Sequence, residues 1–156
     1  MLSLKLYYCE LLTNASILSI STHCAGLRSL NLLIGTQITD ASIISISTHC
    51  TALQSSNLEL FELITDACII SIPTHCTGLQ SLNLKCCLIT DTSIISTSTY
   101  CTGLKSLNLE CCDDTSDASL IAITRNCTGL QSMDALDLVV LSFVVINSSL
   151  YTSSCP

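Results

Sequence analysis

The sequence predicts an α/β solenoid: a right-handed coil with a parallel sheet on its concave side and short helices on its convex side. Three observations predict it. Cys24, Cys50, Cys76, Cys101 and Cys127 recur every 25 or 26 residues, a period typical of stacked repeat units. Leu27, Leu30 and Leu32 recur as Leu79, Leu82 and Leu84, and again as Leu104, Leu107 and Leu109. Later in each unit the apolar period changes from two to three and four, the change from strand to helix.

The units read CAGLRSLNLLIGTQITDASIISISTH, CTALQSSNLELFELITDACIISIPTH, CTGLQSLNLKCCLITDTSIISTSTY and CTGLKSLNLECCDDTSDASLIAITRN. A partial unit, Met1 to His23, precedes them, and another begins at Cys127. Each opens with an L-x-L strand showing one face to a core. Ile-Thr-Asp follows at Ile38–Asp40, Ile64–Asp66 and Ile89–Asp91, and places each Asp at a helix N-cap, where a carboxylate accepts the first free amides. Ile43, Ile46 and Cys50 then step along one helical face. Ile, Ser and Thr are mediocre helix formers, and Pro73 predicts a break in the third full helix. Runs such as Ile44–Ser47 also alternate, so a β-solenoid without helices is the structural alternative. A single coil buries too little apolar surface to offset the entropy of ordering itself, so neighbours must cover its open faces.

The pattern C-x-x-L-x-x-L-x-L-x-x-C-x-x-I-T-D resembles the cysteine-containing leucine-rich repeat of F-box/leucine-rich-repeat proteins, over roughly Met1 to Ala135. Its second cysteine stands at Cys9, Cys87 and Cys112, with Gly35 and Phe61 in the other two units. The resemblance implies a leucine-rich-repeat right-handed solenoid, or horseshoe. It also implies a role in recruiting substrates to an F-box-type (SCF) ubiquitin ligase, for ubiquitin-dependent protein catabolism. That role requires an F-box, and no such helical segment is read in these residues. The domain reading is 1–135 as solenoid, comprising a partial repeat, four full repeats and a final strand. Residues 136–156, LDLVVLSFVVINSSLYTSSCP, form a divergent cap or tail. A start at a strand with no capping segment suggests a piece of a longer array.

Composition narrows the function. The chain is 49% hydrophobic and 11% charged, with a net charge of −7. Apolar content at that level opposes disorder. Five basic residues against twelve acidic ones leave little to neutralise phosphates, so nucleic acid is not an expected partner. The longest apolar stretch, Leu136 to Ile146, is interrupted by Asp137 and Ser142 and falls short of the ~20 residues of a membrane span. With no secretory leader read, a cytoplasmic or nuclear location is expected.

Eight cysteines (Cys9, Cys24, Cys50, Cys76, Cys87, Cys101, Cys112 and Cys127) hold two inward phases and read as small buried hydrophobes. Disulfides between coils are the alternative. Cys68, Cys86, Cys111 and Cys155 are off-phase and read as the more reactive thiols. Adjacent pairs such as Cys86–Cys87 are weak zinc signals, because neighbouring strand residues face opposite ways. His23, His49 and His75 form one column, read as a surface position and alternatively as a metal or pH-sensitive stripe. No catalytic motif appears, so no enzyme, cofactor or metal is expected. Sequons at Asn14, Asn126 and Asn147 arise easily in a Ser/Thr-rich chain; Asn14 takes the place held elsewhere by Asp and reads as structural.

A protein partner is expected on the concave face. Strand alternation places there Lys5 and Tyr7, Asn31 and Leu33, Asn57 and Glu59, Asn83 and Lys85, Asn108 and Glu110, and Asp134, beside Ser3, Ser29, Ser55, Ser81, Ser106 and Ser132. The column Asn31, Asn57, Asn83 and Asn108 reads as stacked amides bonding one another, or else as bonding a ligand's backbone. The less uniform column Tyr7, Leu33, Glu59, Lys85 and Glu110 is the place for specificity. Two further readings stand: a truncated or vestigial repeat protein with a structural role only, and a secreted recognition protein.

Overall fold

The structure is a computed structural model and describes residues 2–9, 11–33 and 37–135. Among these residues six strands alternate with five helices. They are β1 (Leu2–Tyr7), α1 (Asn14–His23), β2 (Leu27–Leu33), α2 (Asp40–His49), β3 (Ser55–Asn57), α3 (Asp66–His75), β4 (Ser81–Asn83), α4 (Asp91–Tyr100), β5 (Ser106–Asn108), α5 (Asp117–Asn126) and β6 (Ser132–Asp134). The strands form one sheet in chain order, every neighbouring pair parallel. Each helix packs on the next, α1 through α5. This is the α/β repeat solenoid that the leucine and isoleucine periods predict. The expected cap or tail, 136–156, lies outside the described residues, as does Gly35.

The register keeps equal residues side by side: Ser29, Ser55, Ser81 and Ser106 in one row, and Asn31, Asn57, Asn83 and Asn108 in another. Leu30, Leu82 and Leu107 face the core and are buried. They meet Ile43, Ile46, Ile69, Ile72 and Ile94 from the helices, all buried. Ser56 is the polar exception in the leucine row, fully buried with its hydroxyl unpartnered.

The alternating Ile-Ser runs are helical, not strand. Weak intrinsic propensity is overridden because two neighbouring helices cover each inner one, and the Ser and Thr hydroxyls find acceptors in carbonyls three or four residues earlier. Hydroxyls also join neighbours: Ser21 Oγ lies 2.6 Å from Ser45 Oγ, and Ser47 Oγ 2.6 Å from Ser71 Oγ.

Two local expectations are corrected. Pro73 does not break α3, which runs unbroken to His75, with the Cys76 amide donating to the Ile72 carbonyl at 2.7 Å. The proline stands in the last turn, where its ring is buried in the place that Ser47 and Ser98 hold in the adjacent coils. Only the bond to the Ile69 carbonyl is forgone.

The aspartates are not N-caps. Thr39, Thr65, Thr90 and Ser116 hold that place with extended φ/ψ, and Asp is the first helical residue. Its carboxylate reaches forward to the next coil. Asp40 accepts the Thr65 amide at 2.8 Å and the Thr65 hydroxyl at 2.6 Å. Asp66 does the same for Thr90, and Asp91 for Ser116 with the Ser119 hydroxyl added. Each hydroxyl, its proton turned to the carboxylate, then accepts the amide two residues on. Asn14 joins α1 to Thr39 in the same place, but its amide nitrogen donates to the Thr39 hydroxyl oxygen, and Thr39 makes no cap bond.

Cysteines add a third seam. The thiols of Cys50, Cys76, Cys101 and Cys127 donate to the carbonyls of Cys24, Cys50, Cys76 and Cys101, at 3.3 to 3.5 Å. Those of Cys87 and Cys112 donate to Leu58 and Leu84 at 3.0 Å. The in-phase cysteines are therefore donors between coils as well as small hydrophobes. Cys9 and Cys24, with no earlier coil over them among the described residues, are half-exposed.

Candidate interaction surface

The outer face of the sheet carries the residues expected to meet a partner. Lys5 and Tyr7 are exposed; Asn31, Leu33, Asn57, Glu59, Asn83, Lys85, Asn108, Glu110 and Asp134 are half-buried. The serine row stays on this face, where the Ser132 hydroxyl donates to Ser106 at 2.9 Å.

The asparagines do not stack amide on amide. The Oδ1 atoms of Asn57, Asn83 and Asn108 accept the backbone amides of Glu59, Lys85 and Glu110, two residues on in the same coil, at 3.0, 3.0 and 2.9 Å. Behind each lies a turn residue with positive φ: Leu60 at 64°, Cys86 at 58° and Cys111 at 57°, with Tyr8 at 53° in the first coil. Left-handed backbone is unfavourable for residues with a side chain, and the asparagine oxygen holds the chain just before it. In the longer strand β2 the arrangement is absent, and Asn31 Oδ1 is buried without a partner. The carbonyls of Asn57, Asn83 and Asn108 are thus committed to local turns.

The less uniform column is different. Lys85 Nζ lies 2.7 Å from Glu110 Oε2, and Asn83 Nδ2 donates to Glu59 Oε2 at 3.2 Å. The Glu110 carboxylate raises the Lys85 ammonium above its ordinary pKa, with a smaller contribution from Glu59. Glu59, Lys85 and Glu110 form a charged strip across three coils. At its other end Tyr7 and Leu33 present ring and aliphatic surface, and an open recess in the same coil as Tyr7 is lined by Tyr8, Cys9, Leu11, Leu12 and Ser16. Tyr8 is 68% and Leu11 91% exposed, the largest exposures of big apolar side chains among the described residues. Tyr8 and Leu11 carried no signal in the sequence, because both fall at positions that differ from unit to unit.

None of the eleven described cysteines is in a disulfide. Off-phase Cys68 is not a reactive surface thiol: it is fully buried in the row of Ser42, Ser93 and Ser119. Burial first, and then the Asp40 carboxylate, push its thiol strongly up. Cys86 is half-buried and Cys111 exposed; Cys155 lies outside the described residues. His23, His49 and His75 are exposed at the ends of their helices, with Nδ1 2.7, 2.9 and 2.9 Å from the carbonyls four residues back, which it reaches by donating. Among the described residues, no cluster of three His, Cys, Asp or Glu side chains is placed to hold a metal, and no helix is long and apolar enough to cross a membrane.

No protein-family model matches the chain, and no curated protein matches it. Among solved structures it is similar to a chain in the crystal structure of the Rad7 and Elc1 complex in yeast, at 16% identity and a TM-score of 0.42. The match covers 85% of this chain and 50% of that one, so the chain spans about half the length of its structural neighbour.

Proposed function

We propose that this protein is a non-enzymatic binding module that presents the outer face of its sheet to a protein partner. The observation that carries the reading is the contrast between two neighbouring columns. One is uniform and, from Asn57 to Asn108, engaged within its own turns; the other runs Tyr7, Leu33, Glu59, Lys85, Glu110 and changes side chain from each coil to the next. A rigid sheet with one varied column can discriminate partners by position. The strip lacks Trp and Arg, so affinity rests on Tyr7 and the charges rather than on several strong anchors. Six strands spaced ~4.8 Å apart give a face about 24–29 Å wide, suited to part of a standard interface.

The finer reading, from the repeat pattern, is that such a face selects substrates for an F-box-type ubiquitin ligase, in a cytoplasmic or nuclear setting, as part of a larger receptor. The test is a binding measurement with partners captured by the intact chain. A partner whose binding is lost on Tyr7→Ala and on Lys85→Glu, and kept on Arg125→Glu at the end of α5, supports the reading. Partners indifferent to the first two changes would support the rival, a repeat protein with a structural role only.

A further inference from the structure

The turns that follow β3, β4 and β5 are pinned on both sides by buried residues: Phe61 and Ile64 in one, Cys87 and Ile89 in the next, Cys112 and Thr115 in the third. What stands between each pair is held out to solvent: Glu62 with Leu63, then Leu88, then Asp113 with Asp114. The turns lie side by side. The Cys87 thiol donates to the Leu58 carbonyl and the Cys112 thiol to the Leu84 carbonyl, and the Leu60 amide donates to the Lys85 carbonyl at 2.9 Å. Leu60, Leu63 and Leu88 are 40%, 49% and 65% exposed. A single surface leucine needs no explanation, but three on neighbouring fixed turns make an apolar patch rimmed by polar residues, the mark of an interaction site.

The charge beside this patch has one sign. Glu62, Asp113 and Asp114 are exposed, and the Lys85 ammonium is paired with Glu110. The positive ends of α3, α4 and α5 also face this rim, but each carries its own first-turn aspartate, Asp66, Asp91 and Asp117. Arg28 and Lys105 stand where β2 and β5 begin, and Arg125 in the last turn of α5, all on the opposite rim where helices lead back to strands. We propose that the rim from Leu60 to Asp114 docks a peptide segment of another protein in which large aliphatic side chains are flanked by lysine or arginine. Its apolar residues cover Leu63 and Leu88, and its cations meet Glu62 on one side and Asp113 and Asp114 on the other. A second copy of the chain does not match this pattern, because Lys5, Arg28, Lys85, Lys105 and Arg125 stand singly along the sequence. Anionic lipid and nucleic acid are repelled by the same carboxylates. The rim is a second surface beside the outer sheet face, so binding at either can fail without the other.

The test is fluorescence anisotropy of the intact chain with a short labelled peptide of alternating leucine and lysine. Two control peptides carry serine in place of the leucines or glutamate in place of the lysines. The expected result is saturable binding of the first peptide and at least about tenfold weaker binding of either control. Leu88→Ser and the double variant Asp113→Asn/Asp114→Asn should each weaken the first peptide at least about fivefold. Ile95→Ser, at an exposed apolar position on α4, and Tyr7→Ala on the sheet face should leave it unchanged. Absent binding, controls that bind as well, unchanged affinity in either rim variant, or an equal loss in Ile95→Ser or Tyr7→Ala would overturn the proposal. So would self-association of the chain alone that Leu88→Ser abolishes, which would make the rim a contact between copies. Thermal unfolding of the variants is expected at the wild-type temperature, because the substituted side chains are exposed. Should Leu88→Ser unfold early, Leu63→Ser carries the same expectation.

Discussion

Two rows of uniform polar residues run across the coils, one where the helices begin and one along the outer face of the sheet, and they behave differently. At the helix starts the repeated Asp reaches out of its own coil and binds the Thr or Ser of the next. On the sheet the repeated Asn turns inward to its own coil and steadies a strained turn. The same regularity in the sequence is adhesion between repeats in one place and folding within a repeat in the other. What is left free to vary is the column beside the asparagines.

The largest effect should come from cutting the adhesive seam at its richest point. Asp91→Ala removes a carboxylate that serves Ser116 and Ser119, and should cost about 2–3 kcal/mol in urea unfolding, in the range for hydrogen bonds to a charged group. Acid should reach the same seam. Burial alone would raise the carboxyls of Asp40 and Asp91, but hydroxyl and amide donors from the next coil outweigh it and hold both below 3.8. A carboxyl with a depressed folded pKa adds stability above its unfolded value and loses it as pH falls through the folded one. Stability should therefore be level down to about pH 4 and fall below it, with a shallower fall in the double variant Asp40→Asn/Asp91→Asn.

Next in size is Ser56→Leu, which restores the buried leucine row and removes an unpartnered hydroxyl. A gain of about 1–2 kcal/mol is expected; a loss would mean the core has closed around the serine. Asn14→Asp sharpens the seam comparison by turning the first coil into the type of the others. It frees the Thr39 hydroxyl to cap α2 and places an acidic residue at the start of α1, for about 0.5–1 kcal/mol. The smallest effect belongs to the varied column. Lys85→Ala should change stability by less than about 1 kcal/mol, because its ion pair is solvent-accessible.

Much of this was legible because each unit repeats its own evidence. Leu30, Leu82 and Leu107 marked one buried row, and Ile43 and Ile46 one helical face. The partners of the polar residues were not legible. Asp40 looked like a cap because a single unit offers no other donor nearby; the Thr65 amide comes close only when the coils stack. Cys68 read as a more reactive thiol because it is out of phase with the other cysteines, yet it is buried in the row of Ser42 and Ser93, a row defined across coils. The asparagine column failed differently. Stacking of amides was plausible from register alone, but the amides of Glu59, Lys85 and Glu110 supplied a nearer donor.

By itself the sequence determined the period, the order of strand and helix, and which apolar side chains face inward, because these follow from local spacing and from the need to remove oily surface from water. Only the tertiary structure decided where the hydrogen bonds go, whether Pro73 interrupts its helix, and which thiols remain accessible. Hydrogen bonds are short and directional, so they depend on which coil is brought alongside and in what register, and that exists only once the units have stacked.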